Sequence, residues 1–272
     1  AELYEALFAR IGVISVTNPS QFLETLKFLC VVGAPKGKKL VGFTCSGGGA
    51  TMLADHAEKT GLSFLPVDST RESELAVLLP EIATVSNPLD YTTPIWGQPK
   101  LTYPMFSKAI TVTEADTAVL VQDYPAVGLN ASKVFYQRDA AAFAQAAKEQ
   151  GLPAAICSTM PENMDEQTRQ LLISKAVAPM QGIHEALNAI HAAANWLEVR
   201  HRILLEEPKP LSPTREWREQ AMVTEDKSKL WLVTNGFSVP EGRVVSAKDV
   251  CSVASEVGYP VALKMLSPLL AH

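Results

Sequence analysis

LVGFTCSGGGATMLADHAEKTGL, residues 40–62, falls into three parts with different periods. The first, Leu40-Val41-Gly42-Phe43-Thr44, is a short apolar run set off by the turn-forming stretch GAPKGKK (33–39), which is the pattern of a buried parallel strand. The last, TMLADHAEKTG, is a helix that stops at Gly61. Between them, Cys45-Ser46-Gly47-Gly48-Gly49-Ala50 makes a glycine-rich turn from strand to helix. A turn of this kind surrounds an open spot with unpaired backbone N–H groups and the positive end of the helix dipole, so it is built to take an anion. Glycines let a ligand approach the backbone, and Ser46 can cap the helix or donate to an oxyanion.

Downstream, the βα pattern repeats. Candidate strands lie at 64–67, 117–121 and 154–157, and candidate helices at about 71–79, 101–112, 131–150, 165–177 and 182–205. This alternation predicts an α/β fold, a flavodoxin-like doubly wound parallel sheet over 35–205 with ligands at the carboxyl ends of the strands. Upstream, a helix (2–11), a strand (13–16) and a helix opened by Asn18-Pro19-Ser20 and ending near Cys30 read as the close of a preceding domain, residues 1–34. LEEPKPLSPTREW, with three prolines, marks a linker over 206–222. The remainder, 223–272, begins another domain with a helix at 225–235, a strand near 242–245, a helix opened by Ser246 and a strand at 261–264.

Bulk properties narrow the function. At 272 residues the chain has room for more than one unit, and its 47% hydrophobic and 19% charged content is that of a folded globular protein. The net charge of -5 is spread without Lys/Arg clusters, which argues against a nucleic-acid partner. No apolar run reaches the roughly 20 residues of a membrane span, and AELYEALFARIG at the start is an amphipathic helix, so the expected location is the cytoplasm. Cys30, Cys45, Cys157 and Cys251 are widely spaced in apolar settings and read as reduced core thiols. His184 and His191 share a helical face without a partner at metal spacing, so helix packing is favoured over zinc and no metal ligand is assigned.

Several residues remain open between chemistry and structure. The glycine turn could be a tight turn with nothing bound, or Ser46 a nucleophile on an elbow; the latter has Thr44 where a glycine is needed and no histidine in a suitable loop near the end of the domain. Asn87 and Asp90, in the loop Ser86-Asn87-Pro88-Leu89-Asp90-Tyr91, either orient a substrate or satisfy backbone N–H groups in an Asx turn. Asp55 and His56, further along the helix, read as packing or solvent-facing groups. Lys264, at the end of an apolar run, either meets a phosphate or carboxylate or snorkels to water.

Three stretches, in order, resemble the NDP-forming acyl-CoA synthetases, relatives of succinyl-CoA synthetase. They are VGFTCSGGGATMLADHAEKTGL, LPEIATVSNPLDYT and NGFSVPEGRVVSAKDVCSVASEVGYPVALKMLSPLLAH. The first is similar to the family's strand, Ser-Gly-Gly turn and helix, the second to its Asn-Pro-x-Asp loop, and the third to the opening of its ATP-grasp domain. Gly49 as a third glycine, Cys45, and Leu89 where valine is commoner are mild departures. The resemblance implies synthesis of acyl-CoA from a carboxylic acid, CoA and ATP with magnesium, through an acyl phosphate and a phosphohistidine. It also implies a partial chain. The phosphohistidine loop and CoA-binding domain would lie upstream of AELYEALFARIGVI and most of the ATP-grasp domain downstream, so no catalytic residue is assigned and the isolated chain is expected to be inactive. By the same resemblance, Ser46, Gly47, Gly48 and Gly49 clamp the phosphohistidine, Asn87 and Asp90 stand near the phosphoryl or acyl end, and Lys264 contacts nucleotide phosphate. His272 would begin a His-Lys-Ser/Thr stretch. The implied partners are the small-molecule substrates and the remaining domains of the same enzyme in an oligomer. Family members also occur as regulatory parts of protein acetyltransferases, so the alternative is a noncatalytic acyl-CoA or nucleotide sensor.

Overall fold

The computed structural model describes residues 2–126, 128–209 and 223–267. The chain divides into two compact units, residues 1–209 and 210–272. The first opens with α1 (Glu2–Ile11) and α2 (Pro19–Val32) and continues as β1 (Leu40–Thr44), α3 (Gly47–Thr60), α4 (Ser69–Ala76), β2 (Leu89–Asp90), α5 (Pro99–Thr113) and β3 (Thr117–Val121). Then come α6 (Lys133–Glu149), β4 (Ala154–Ser158), α7 (Glu166–Ser174), β5 (Ala178–Gln181) and α8 (Ile183–Leu205). The second unit has α9 (Glu225–Thr234) and α10 (Val250–Val257).

The five strands form one parallel sheet in the order β2-β1-β3-β4-β5, the flavodoxin-like arrangement expected. Register is fixed by alternation. Leu89, Phe43, Leu120, Ile156 and Pro179 stand side by side across the five strands. Their face carries Val41, Ala118 and Ala154 and packs on Leu75, Met105, Phe106 and Phe143 of the helices α4, α5 and α6. Phe43, Phe106 and Phe143 meet edge to face, with centroids 4.9, 5.9 and 5.7 Å apart. The opposite face, with Leu40, Val119, Val121, Ala155, Cys157, Ala178 and Met180, buries Phe28 of α2, Leu53 of α3 and Ile183, Leu187 and Ile190 of α8. Both faces are covered, which is why these strands read as continuous apolar runs.

Helix ends follow local chemistry. Asn18 caps α2 by accepting from the Gln21 N–H at 2.8 Å, and Gly61 ends α3 in the left-handed region at φ 72°. At the β5 edge, Pro179 offers no N–H and Gln181 N–H donates to the buried Glu24 carboxylate at 2.9 Å. That edge is closed to strand addition.

Four expected strands are not strands. Residues 13–16 pair with no described strand. Residues 64–67 contribute only the neighbouring Lys39–Ser63 bridge. The backbone groups of β1 on that side are taken by the Asn87 side chain, and Pro66 has no N–H. Residues 242–245 and 261–264 lie in the second unit, where no described strand is available as a partner. Conversely, β5 was expected as the connection between two helices, and β2 as loop. Cys157 is buried as expected, but Cys30 on α2 and Cys251 on α10 are exposed, and Cys45, in the turn after β1, is half-buried. The reading of 206–222 as a linker falls mostly on residues 210–222, outside the described residues, as does His272. No described helix is long and apolar enough to cross a membrane.

Candidate functional site

β1 and β3 are neighbours whose following helices leave to opposite faces, α3 to one and α6 to the other. A crevice at the carboxyl ends of two such strands is where doubly wound sheets bind ligands. The glycine turn stands there. Ser46 is extended (φ −147°, ψ 124°), and its carbonyl accepts from Ala50 N–H at 3.1 Å, while its hydroxyl makes no capping bond. The N–H groups of Gly47, Gly48 and Gly49 donate to no acceptor among the described residues. Ser46, Gly47 and Gly48 are exposed and Gly49 is buried. A Cβ at Gly49 would stand 2.6 Å from the Thr44 hydroxyl oxygen, so glycine is needed to bring the turn down onto the sheet. Thr44 in turn accepts from Ser46 N–H at 3.2 Å. The turn is therefore seated on Thr44 and open, and its three glycine amides meet no acceptor among the described residues.

Asp90 comes to this turn and Asn87 does not. One Asp90 oxygen accepts from Thr92 N–H at 3.0 Å, and the other lies 3.7 Å from where a Cβ on Gly47 would sit. The Asn87 side chain is spent on backbone: it accepts from Gly42 N–H at 3.0 Å and donates to the carbonyls of Leu40 (2.8 Å) and Leu65 (2.9 Å). It thereby holds the first half of β1 on the side where β2 pairs only with Phe43 and Thr44. Lys264 belongs to the second unit, where it is exposed and its ammonium sits 3.2 Å from both oxygens of Glu225. A carboxylate thus meets that charge. His56 and His184 face each other across α3 and α8 with ring centroids 5.3 Å apart. His191 contacts Asn195 at 2.6 Å, and burial, then Lys38, push its pKa below the ordinary imidazole value. No group of three or more His, Cys, Asp or Glu among the described residues could hold a metal ion.

Sequence reasoning missed a second layer. Two residues past the apolar row Leu89–Phe43–Leu120–Ile156–Pro179, on the same face, stand Tyr91, Cys45, Gln122, Ser158 and Gln181. The Tyr91 hydroxyl donates to Asp139 at 3.0 Å. Asp139, fully buried on α6, also accepts from Gly97 N–H (3.0 Å) and the Thr102 hydroxyl (3.1 Å). Burial outweighs these donors and holds its pKa above the usual carboxylate value. Burial, followed by the charges of Asp139 and Asp90, likewise pushes the Cys45 thiol up, so it is no thiolate nucleophile. Asp123, just beyond β3, accepts from Thr159 N–H at 2.8 Å and Asn163 Nδ2 at 2.9 Å and ties the β3 and β4 loops together. One signal was available for Asp139: it is an acid among Ala140, Phe143, Ala146 and Ala147 on the buried stripe of its helix, and a buried acid requires partners.

Fold and site thus define a doubly wound α/β protein with a helix start of unpaired amides, among the described residues, at its topological switch point. No family model matches the chain. The chain is 23% identical over 281 residues to an ADP-forming acetate–CoA ligase I of Archaeoglobus fulgidus, a match covering all of this chain and 38% of that one. It is also 23% identical over 279 residues to a trans-feruloyl-CoA synthase of an unidentified prokaryote, covering 99% of this chain and 38% of that one. Among solved structures, the dinucleotide-forming acetyl-coenzyme A synthetase 1 of Candidatus Korarchaeum cryptofilum, in complex with phosphate and ADP, superposes with a TM-score of 0.60 at 19% identity. That match covers 77% of this chain and 44% of the other. The chain is thus similar to ADP-forming acetyl-CoA synthetases and to a feruloyl-CoA synthase, and it spans under half the length of the relatives it matches.

Proposed function

We propose that the chain is part of an acyl-CoA synthetase that makes acyl-CoA from a carboxylic acid, CoA and ATP, releasing ADP and phosphate, by way of an acyl phosphate and a phosphohistidine. Its contribution is the start of α3. The observation that carries this reading is the set of three adjacent amides, Gly47 to Gly49, without protein acceptors at an exposed helix start of fourteen residues. Phosphoryl transfer asks little covalent chemistry of a protein and much positioning and charge stabilisation. Converging N–H groups and the helix dipole supply both, and they are fixed beforehand by the packing of Gly49 on Thr44.

Asp90, with one oxygen held by Thr92, is placed to orient a neutral or cationic donor beside the phosphoryl group, such as the free N–H of a phosphorylated imidazole. Asn87 serves the site by holding β1. Lys264 is assigned to nucleotide phosphate, exchanging its Glu225 partner for the anion. The described residues offer no cluster for magnesium, so the metal would be held by groups other than these.

The test is calorimetric titration of the chain with inorganic phosphate, using the wild type and Gly48→Ala. A Cβ at Gly48 meets nothing closer than the Ser46 hydroxyl oxygen at 3.6 Å, so this variant folds normally while its methyl group crowds the anion position. Saturable binding weakened about tenfold in the variant is expected, the loss of roughly one charge-assisted hydrogen bond. No binding, or equal binding by both proteins, overturns the reading.

A further inference from the structure

The sequence places His184 with His191 on one helical face, but the structure brings His184 to a different histidine. α3 and α8 lie side by side on one face of the sheet, where Leu53 and Ala57 of α3 share a buried cluster with Ile183, Leu187 and Ile190 of α8. At the outer margin of this seam the rings of His56 and His184 face each other, with centroids 5.3 Å apart and planes at 49°. Further along, a Cβ on Gly61 would stand 3.8 Å from His191 Cε1, so the two helices run in the same direction. The histidine pair is therefore held by two helices anchored in the core and not by a loop.

No hydrogen bond or ion pair joins a ring nitrogen of either residue to any described residue. Their polar contacts run through the backbone: the His56 carbonyl accepts from the Thr60 hydroxyl at 3.1 Å, and the His184 carbonyl from Asn188 Nδ2 at 2.9 Å. His56 is half-buried and His184 exposed, so solvent reaches the pair. His191 is in a different state, with Nε2 against Asn195 at 2.6 Å and Nδ1 buried. The separation of the free pair has a chemical meaning. In a tetrahedral site an imidazole nitrogen lies about 2.0–2.1 Å from zinc, which puts each ring centre about 3.2 Å out and two ligating rings about 5.2 Å apart. That is the spacing found between His56 and His184.

We infer that His56 and His184 chelate one divalent transition-metal ion, of the class represented by zinc, at the seam of α3 and α8, with water completing the coordination on the exposed side. Imidazole suits zinc, nickel and copper, whereas magnesium and calcium take oxygen ligands. The ion would tie α3 to α8 by a bond that neither helix makes alone. His56 lies nine residues beyond Gly47, about 13 Å along α3, so this site is separate from the glycine turn. The inference needs only two helices of the first unit and stands apart from the acyl-CoA reading.

The experiment is isothermal titration of the chain with zinc chloride after alkylation of the exposed thiols Cys30 and Cys251, in the wild type, His56→Ala, His184→Ala and His201→Ala. His201 is an exposed histidine further along α8 and serves as the control. One ion per chain is expected. Affinity should fall at least about tenfold in His56→Ala and in His184→Ala, because either change turns a chelate into a single contact, and stay unchanged in His201→Ala. Thermal melts without zinc confirm that the variants fold, and melts with zinc should show a rise in Tm in the wild type and His201→Ala alone. Should His56→Ala fail to fold, His184→Ala, at an exposed position, carries the test by itself. Electron paramagnetic resonance of the chain loaded with copper(II) should resolve two coordinated nitrogens. No zinc binding, zinc affinity unchanged in His184→Ala, or a copper spectrum with a single coordinated nitrogen overturns the inference.

Discussion

Asp139 gives the sharpest handle on how the site is held. Replacing it by alanine leaves three donors, the Tyr91 hydroxyl, Gly97 N–H and the Thr102 hydroxyl, without an acceptor in a fully buried place. An orphaned buried donor costs about 1–3 kcal/mol, and partial relaxation among three puts Asp139→Ala at roughly 3–5 kcal/mol of lost stability. Asp139→Asn should behave differently. Its amide oxygen can take the place of Oδ1 and accept from Gly97 and Thr102, while its NH2 faces the Tyr91 hydroxyl, which turns from donor to acceptor. All contacts survive and a buried charge is removed, so Asp139→Asn should lie within about 1 kcal/mol of the wild type or above it. Urea denaturation at pH 7 measures both. The pH dependence carries an independent sign. Asp139 is raised in the folded state, so the folded protein holds the proton more tightly, and its share of stability falls as pH rises from the ordinary carboxylate value toward the raised one. That slope should vanish in Asp139→Asn. An asparagine variant as unstable as the alanine variant would refute the reasoning, because it would show that the charge itself holds the loop.

Other expectations follow from single contacts. Gly49→Ala forces a methyl group to within 2.6 Å of the buried Thr44 hydroxyl oxygen and should cost about 1–3 kcal/mol in chemical denaturation, unlike the tolerated Gly48→Ala. Thr92→Gly relieves backbone strain and removes an unpaired hydroxyl at some entropic cost, so thermal melting should show a gain of about 1 kcal/mol. His191, whose pKa is depressed in the fold by burial and Lys38, takes up its proton more readily when unfolded. Stability should therefore fall as pH drops below about 6.5, and His191→Gln should flatten that slope in melts taken from pH 7 to pH 5.

The parts of this fold that were legible in the sequence are those whose signals are local. Strands β1, β3 and β4 are apolar runs bounded by turns, and α1 and α8 carry their own period, so each was placed within a residue or two, while α3 ends where Gly61 stops it but begins four residues earlier than expected, at Gly47. What escaped depended on partners distant in sequence. Residues 64–67 look like a strand, but Asn87, more than twenty positions away, occupies the edge they would pair with. β5 contains Pro179, acceptable only because its outer edge is unpaired by strand, and β2 is two residues long. That a glycine turn joins β1 to α3 could be read from its residue types alone. Asp139 could be read only as a buried acid in need of partners, not which partners, since Gly97, Thr102 and Tyr91 meet it only when α6 and the loop after β2 are brought together by the sheet.

The central claim concerns three backbone N–H groups, and nitrogen–proton correlation spectra of labelled chain report on each of them. Adding inorganic phosphate should move the Gly47, Gly48 and Gly49 signals together, to one saturation curve, with the glycines at 97, 151 and 182 unmoved. Shifts confined to other residues, or glycine signals of the turn that stay in place at saturating phosphate, would contradict the account.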